Sequence, residues 1–354
     1  MKRILYFSGL NPEGNSAAGV RAKFFIADLS NEFKIKNLSA EKGLSHLTFT
    51  LASNQERLLI RLLKEVIVAF ELSLRILTTK CDLIILSSPP YFTNLIAAII
   101  LRVFRKKYIF DIRDLYPEVF FHMNLLKRDT ITGRFLLWIT KIALDGATTS
   151  ITVTEGLVKA IQSNYHIEPV LIYNGYDANH FYEIQKDDEF KVLFHGNLGK
   201  MQNIDLLVSV AKELHDIEFI VAGKGPQEHK LANLPNLSFL GEVLNSEIPK
   251  IVKSSHLGLS FRNDGIINET SFPVKIFEYL GAKLPVISTP HSEAGFFLEK
   301  NKLGFQYKNS ERNQIVNKIR EIQKNSNTNN VDLTKYSRQY QSKKFTDVVR
   351  EVLN

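Results

Sequence analysis

The chain has 354 residues, 44% of them hydrophobic and 23% charged, a balance that excludes a mainly disordered or fibrous protein and leaves room for two domains with separate cores. A single cysteine, Cys81, excludes an internal disulfide framework and any multi-cysteine metal site, and is compatible with a reducing compartment. The net charge of +8 comes without a basic tail or an arginine-rich block, which argues against nucleic acid and for anionic small molecules or an anionic membrane surface; a solvated basic surface gives the same balance. The first apolar run, Ile4 to Phe7, is too short for a signal peptide, and no stretch approaches the roughly 20 apolar residues of a membrane span. The expected location is cytoplasmic, soluble or at most resting on a membrane face.

In chain order, short apolar runs alternate with helical patterns. The first half predicts strands at Arg3–Ser8, Leu83–Ser87, Tyr108–Ile112, Ser150–Val153 and Val170–Ile172, with helices near Ala18–Phe33, Glu56–Thr78, Asn94–Phe104, Thr132–Leu144 and Thr154–Ser163. The second half predicts strands at Lys191–His195, Glu218–Ala222, Leu237–Leu240, Leu257–Ser260 and Pro285–Ser288. Its helices fall near Ile204–His215, Gln227–Asn233, Ser246–Ser254, Val274–Ala282 and Asn313–Gln323. Continuous apolar strands spaced by helices predict an α/β protein with two doubly wound parallel sheets, whose ligands bind beyond the carboxyl ends of the strands. The expected division is residues 1–175 and 190–332, joined by a polar linker at 176–189. Residues 333–354 form a terminal helical segment that either crosses back to the first domain or ends the chain as an ordinary helix.

The chemistry is expected at strand ends. In Ser271 to Ser288, Pro273 suits the first helical position, and Asn268 to Ser271 ahead of it leave free N–H groups at a positive helix end, including that of Thr270. Lys275 in the first helical turn opposes the helix dipole unless an anion sits between it and the helix start. The competing reading is a surface ion pair between Lys275 and Glu278. After strand Lys191–His195, the turn Gly196-Asn197-Leu198-Gly199-Lys200 lets backbone N–H groups approach a phosphate, with Lys200 as counter-charge. The turn containing Gly223 and Gly225 imitates a dinucleotide fingerprint but has Glu228 at the third glycine, and reads as a second nucleotide-contacting turn. In the first half, the turn from Ser8 to Arg21 contains Gly19 and is expected to reach a cleft, and Arg113-Asp114 emerge at the end of strand Tyr108–Ile112. Thr154 and Glu155 read as a helix cap. His195 is a candidate donor, with a satisfied structural histidine as its default. No His pair has metal-ligand spacing, and no Gly-x-Ser-x-Gly elbow occurs, so neither a metal site nor covalent Ser or Cys catalysis is expected.

Six segments in register resemble glycosyltransferase family four, the retaining enzymes of the GT-B fold: Asp111 to Glu118, Thr152 to Gly156, Ile172 to Asp177, His195 to Lys200, Val221 to Pro226 and Phe272 to Gly281. The nearest likeness is to the branch that assembles bacterial capsule, O-antigen and exopolysaccharide, including transferases of N-acetylated amino sugars such as N-acetylfucosamine. The resemblance implies two Rossmann-like domains facing across a cleft. The second binds a nucleotide-diphosphate sugar, with UDP favoured, and the first receives a glycan or lipid-linked glycan. It places Glu278 on the donor ribose, Lys275 near the diphosphate, and Gly196 and Lys200 at the phosphate turn. Thr270 stands where the family's first paired glutamate belongs, with Glu269 one step away. Asn197 and Gln202 stand where many members carry Arg and Lys, so Lys200 and Lys275 are expected to share the diphosphate.

The candidate catalytic set is therefore Arg113, Asp114, Lys200 and Lys275. Gly196, Asn197, Gly223, Gly225, Thr270, Pro273 and Glu278 are the expected donor contacts, and Gly19 and Arg21 the expected acceptor contacts. No cofactor or metal is expected. The apolar stretch Glu56 to Arg75, carrying Arg57, Arg61 and Lys64, together with Leu101 to Lys107 and Arg134 to Trp138, predicts weak peripheral contact with anionic membranes; sheet-covering helices with ordinary solvent faces would look the same. Two rivals stay open: a nucleotide-sugar epimerase of similar two-domain shape, and a catalytically silent nucleotide-sugar-binding subunit.

Overall fold

The computed structural model describes residues 1–9, 11–12, 17–39, 58–122, 124–181, 186, 188–231, 234–325 and 331–354, with the backbone alone for 17, 58–64 and 266. The chain forms two compact units, Met1–Tyr173 with Gln341–Asn354, and Asn174–Tyr340.

In the first unit, strands β1 (Arg3–Ser8), β2 (Lys34–Ser39), β3 (Leu83–Ser87), β4 (Tyr108–Ile112), β5 (Thr149–Thr152) and β6 (Val170–Leu171) make one sheet in the order β2-β1-β3-β4-β5-β6. All pairs are parallel; Ser8 pairs with Ser87 and Ser87 with Asp111, so three polar residues align at the carboxyl edge. The helices are α1 (Ala17–Leu29), α2 (Leu58–Thr78), α3 (Tyr91–Val103), α4 (Glu118–His122), α5 (Ile131–Asp145) and α6 (Glu155–Tyr165). Alternation along β1 divides the core: Leu5 and Phe7 pack with Val68, Leu72, Leu95 and Leu101, while Ile4 and Tyr6 pack with Phe25, Phe345 and Val349. α6 is capped by the Thr154 side chain, which accepts from the Leu157 N–H.

In the second unit, β7 (Lys191–His195), β8 (Glu218–Ala222), β9 (Leu237–Phe239), β10 (Leu257–Phe261), β11 (Val286–Thr289) and β12 (Gly304–Gln306) are ordered β12-β11-β10-β7-β8-β9. Helices α7 (Ile204–Glu213), α8 (Ile248–Ser254), α9 (Ile266–Glu269), α10 (Val274–Gly281), α11 (Glu293–Lys300) and α12 (Arg312–Lys324) accompany it. Helix α13 (Arg338–Leu353) starts in this unit, and from Gln341 onward it belongs to the first. There Phe345 is fully buried, its ring 4.3 Å from that of Phe25. Truncating such an aromatic to alanine typically costs about 3–5 kcal/mol.

The structure differs from the sequence expectations at several places. The edge strands β2 and β12 were not expected; β2 has a largely exposed pattern, and β12 is three residues long. Residues 176–181 are not a linker: Tyr176 and Phe181 are buried against each other, with ring centroids 5.9 Å apart. The expected helix at Gln227–Asn233 is a short 3-10 turn, Glu228–Leu231. The terminal segment begins with another, Thr334–Tyr336, buried in the second unit through Leu333 and Tyr336.

Candidate functional site

The β order reverses between β7 and β10, because the chain runs from β7 outward to β9 and then returns to the other side of β7. Parallel sheets bind ligands beyond the strand ends at such a switch point. Here the ends of β7 and β10 carry His195-Gly196 and Phe261-Arg262, and α10 begins beside them.

Lys275, in the first turn of α10, is only 8% exposed. Its Nζ donates to Gln202 Oε1 at 3.2 Å and lies 3.9 Å from the centre of the Phe194 ring. Burial, reinforced by nearby Arg262 and opposed by Glu278, pushes the Lys275 ammonium down to about 7. Arg262 is lowered to about 10 by burial; it donates to Ser271 Oγ, and its Nε is buried without a partner. Two desolvated cations whose charges act on each other are costly, and a bound anion relieves that cost.

Glu278 and Lys275 do not form the ion pair of the competing reading, although their charges act on each other. The Glu278 carboxylate lies 3.4 Å from His195 Nε2 and 3.8 Å from Arg338 Nη2. The His195 contact is not an ion pair, because burial and then the Lys275 charge push the imidazole down to about 3 and leave it neutral, and its Nε2 meets no hydrogen-bond geometry. Burial raises the Glu278 carboxyl, against Arg338 and Lys275. Tyr279, next to Glu278 on α10, fixes β7 from behind by accepting from the His195 N–H at 3.2 Å.

The helix start differs by one step from expectation. Pro273 occupies the N-cap rather than the first helical position, with φ −61° and ψ 134°, and no side chain caps α10. Its leading N–H groups are therefore open to an anion. Thr270 is exposed, and exposed Glu269 accepts from the Gly265 N–H at 3.3 Å. Asn268 is buried and ties the segment to the turn after β7, donating to the Met201 and Asn263 carbonyls at 3.2 and 2.7 Å.

Gly196 has φ +116°, and a Cβ there would approach the Lys275 side chain to 3.5 Å. Asn197 is exposed. Lys200 is also exposed; its carbonyl holds Asn263, and its ammonium has no partner among the described residues. The expected sharing of one anion by Lys200 and Lys275 is thus not built in: one ammonium is buried at the switch point and the other extends into solvent. Gly223 and Gly225 have a packing role beside the expected nucleotide contact. A Cβ on Gly223 would lie 1.9 Å from the Gly196 carbonyl oxygen, and one on Gly225 would lie 2.5 Å from the Leu198 carbonyl carbon. These glycines let the two turns press together, and the space beside them is filled by protein.

The candidates in the first unit also divide. Arg21 is not an open acceptor contact: it is buried, with Nη2 3.2 Å from Asp111 Oδ1 and Nη1 donating to the Ile172 and Tyr173 carbonyls at 2.9 and 3.1 Å. Gly19 is buried within α1, and much of the turn before it lies outside the described residues. Arg113 is half-buried and Asp114 exposed beyond β4. Sequence reasoning missed Arg262 and Arg338. The only available signal for Arg262 was its place directly after an apolar strand, and Arg338 is brought in by the terminal segment from 60 residues beyond Glu278. Among the described residues, no group of three or more His, Cys, Asp and Glu is placed to hold a metal ion.

Residues 176–340 match the family model described as "Glycosyl transferases group 1". A curated relative, chitobiosyldiphosphodolichol beta-mannosyltransferase of Dictyostelium discoideum, is 30% identical over 118 residues, which is 31% of this chain and 24% of that protein. The alignment thus spans about a quarter of the relative's length. Among solved structures, a glycosyltransferase from Rickettsia africae is similar over 100% of this chain and 99% of its own at 15% identity and TM-score 0.65. Anabaena HepE in complex with UDP and glucose is similar over 99% and 100% at 15% identity and TM-score 0.66. The UDP-GlcNAc 2-epimerase of Methanocaldococcus jannaschii is similar over 99% and 100% at 13% identity and TM-score 0.59. The two parallel six-stranded sheets with flanking helices are thus the GT-B fold class, as expected from sequence.

Proposed function

We propose, from the match of residues 176–340 to the glycosyl transferases group 1 family model, that the chain transfers a sugar from a UDP-sugar to a lipid-linked saccharide, with retention at the anomeric carbon, in bacterial surface-polysaccharide assembly. The observation that carries the reading is the pair of desolvated cations, Lys275 and Arg262, beside the uncapped start of α10 at the switch point of the second unit. A diphosphate is a ligand whose charge such a place accommodates. The presence of UDP and glucose in the HepE complex supports UDP as carrier, and the diphosphodolichol named for the curated relative's substrate supports a lipid-linked acceptor.

In the proposed reaction, the acceptor hydroxyl oxygen bonds to the anomeric carbon on the face from which the diphosphate departs. The carbon–oxygen bond to phosphate breaks with its electron pair staying on oxygen, and that oxygen takes the hydroxyl proton. Lys275, Arg262 and the first N–H groups of α10 meet the charge that develops, each charge-assisted hydrogen bond contributing about 1.5–3 kcal/mol. The step as written requires no metal. Glu278 holds the donor ribose, oriented by Arg338.

Peripheral membrane contact completes the proposal. α3 packs between α2 and α5 on one side of the first sheet. Their outer faces expose Ile67, Phe70 and Leu74 of α2, Val103 and Phe104 at the end of α3, and Ile131, Phe135 and Trp138 of α5. Exposed Arg102, Arg105, Lys106 and Arg134 lie on these helices or at the end of α3, while Lys107 turns away to donate to the Val352 carbonyl. An apolar face with a cationic rim suits an anionic bilayer. Arg57, Arg61 and Lys64 lie outside the described side chains, and no helix among the described residues is long and apolar enough to cross a membrane.

The deciding experiment is a thermal-shift panel of nucleoside diphosphates and their sugars, followed by a transfer assay with the stabilising donor. Stabilisation grows as RT ln(1 + [L]/Kd). UDP and one UDP-sugar are expected to stand out, and transfer requires an acceptor. No response to any nucleotide refutes the reading. Sugar isomerisation without an acceptor would establish the epimerase reading that the Methanocaldococcus likeness keeps in play.

A further inference from the structure

The first sheet has its own switch point between β1 and β3, and a second cationic place lies beside it. Asp111, wholly buried at the carboxyl end of β4, has both oxygens occupied: Oδ1 by Arg21 Nη2 at 3.2 Å, and Oδ2 by Arg21 Nε at 3.3 Å and Ser87 Oγ at 2.8 Å. Arg113 follows two residues later. Its backbone is fixed, because its N–H donates to Ser88 Oγ at 3.1 Å and the Ser88 N–H donates to the Asp111 carbonyl at 3.0 Å. Its guanidinium has no hydrogen-bond or ion-pair partner among the described residues, and its Nε is buried and unpartnered. Asp114 is exposed and forms no ion pair with it. Arg21 and Arg113 share this place with the buried Asp111 carboxylate and with Asp114, whose charge also acts on Arg113, yet the Arg113 guanidinium, partly withdrawn from water, has no anion in hydrogen-bond contact. A guanidinium cannot relieve this by losing its proton. A fork of N–H donors on a fixed backbone at a strand end is suited to two oxygens of one anionic group.

We propose that Arg113 forms an oxyanion subsite in the first unit that binds a singly charged group of the acceptor. This deepens the transferase reading and rests on it for the word acceptor; the anion site itself does not. Two sources carry the required chemistry: a phosphodiester-type phosphate in the linker of a lipid-linked sugar, and the carboxylate of an acidic sugar.

The test follows the Arg113 Nε–H resonance of the full-length protein, assigned by its loss in Arg113→Lys, during titration with diethyl phosphate or with methyl glucuronide, both at saturating UDP. A saturable shift with one probe supports the subsite and identifies the source. In a parallel thermal-shift titration, Arg113→Gln is expected to raise the half-saturating concentration of that probe at least about ten-fold. No shift with either probe overturns the proposal. So does a shift produced by UDP itself, which would assign the guanidinium to the donor. If UDP fails to bind but a probe still shifts the resonance, the nucleotide reading fails and the anion subsite stands.

Discussion

Lys275 Nζ and Gln202 Oε1 are 3.2 Å apart, joining the first turn of α10 to the turn that follows β7. Gln202 stands where the family resemblance leads one to expect a lysine, and the lysine of α10 reaches that same position from another element. The side chain lies on the Phe194 ring and is shielded from water, so its charge is held at a cost in stability.

Lys275→Met separates that cost from its purpose. Methionine fills a similar volume and removes the buried charge. The variant is expected to be as stable as the parent or more stable, by up to about 4 kcal/mol, in urea unfolding. It is also expected to lose the UDP-dependent rise in Tm and to lose transfer. A variant that retains UDP stabilisation and turnover removes Lys275 from the site.

The same burial predicts a pH dependence. With the Lys275 ammonium pushed down to about 7 from an ordinary 10.5, the unfolded chain binds more protons than the folded one across that interval. Stability of the free protein therefore rises with pH between these values as far as this group is concerned. A bound diphosphate favours the charged form, so binding takes up a proton. UDP affinity is expected to fall as pH rises above about 7, by at most ten-fold per unit. Calorimetry in buffers of different ionisation enthalpy detects the proton directly. A pH-independent affinity from 7 to 9 with no proton uptake contradicts the assignment.

Glu278→Gln tests the division of labour within α10. The carboxylate contacts His195 and Arg338 and forms no ion pair with Lys275. The substitution is expected to weaken UDP about ten-fold or more, the loss of one charge-assisted hydrogen bond. Inorganic pyrophosphate, which has no ribose, is expected to bind as before. Equal losses for both ligands would place Glu278 on the phosphates instead.

How much of this was legible in the sequence depends on whether the signal was local. The strand from Lys191 to His195 is an apolar run bounded by polar residues, and period alone locates it. Strand β2 escapes because an edge strand with one wet face, Lys34 to Ser39, has no apolar run to display. The segment around Pro273 and Lys275 stands out in the sequence through a cation placed against the helix dipole, and the structure buries that cation at an uncapped helix start. The packing role of Gly223 is not legible in the sequence because its neighbour, Gly196, is 27 residues away. Arg21 was misread for a related reason: its partner Asp111 is separated from it by 90 residues, and pattern along the chain does not encode that pairing.

The exposed apolar face of α2, α3 and α5 predicts a membrane effect without a catalytic one. Trp138 is 59% exposed and its ring centroid lies 6.0 Å from that of Phe135. Trp138→Glu, alone or with Phe70→Glu, is expected to reduce co-sedimentation with vesicles rich in anionic phospholipid at low salt, while leaving UDP stabilisation unchanged. Added salt is expected to weaken the parent's binding as well, because the basic rim acts through a screened attraction. Absence of vesicle binding by the parent at low salt removes the membrane from the proposal.

Arg21→Met tests the claim that this arginine is structural. Its guanidinium neutralises a carboxylate with no exposure, donates to two backbone carbonyls and lies 4.5 Å over the Phe25 ring. Methionine preserves the stem but leaves Asp111 charged and buried with Ser87 as its remaining donor. Breaking one side of a buried pair costs about 3–5 kcal/mol, so the urea midpoint is expected to fall sharply, or the first unit to fail to fold. Asp111→Asn with Arg21→Met removes both charges and is expected to recover part of the loss. An acceptor-binding arginine would behave differently: stability near the parent's, and a raised KM for acceptor alone.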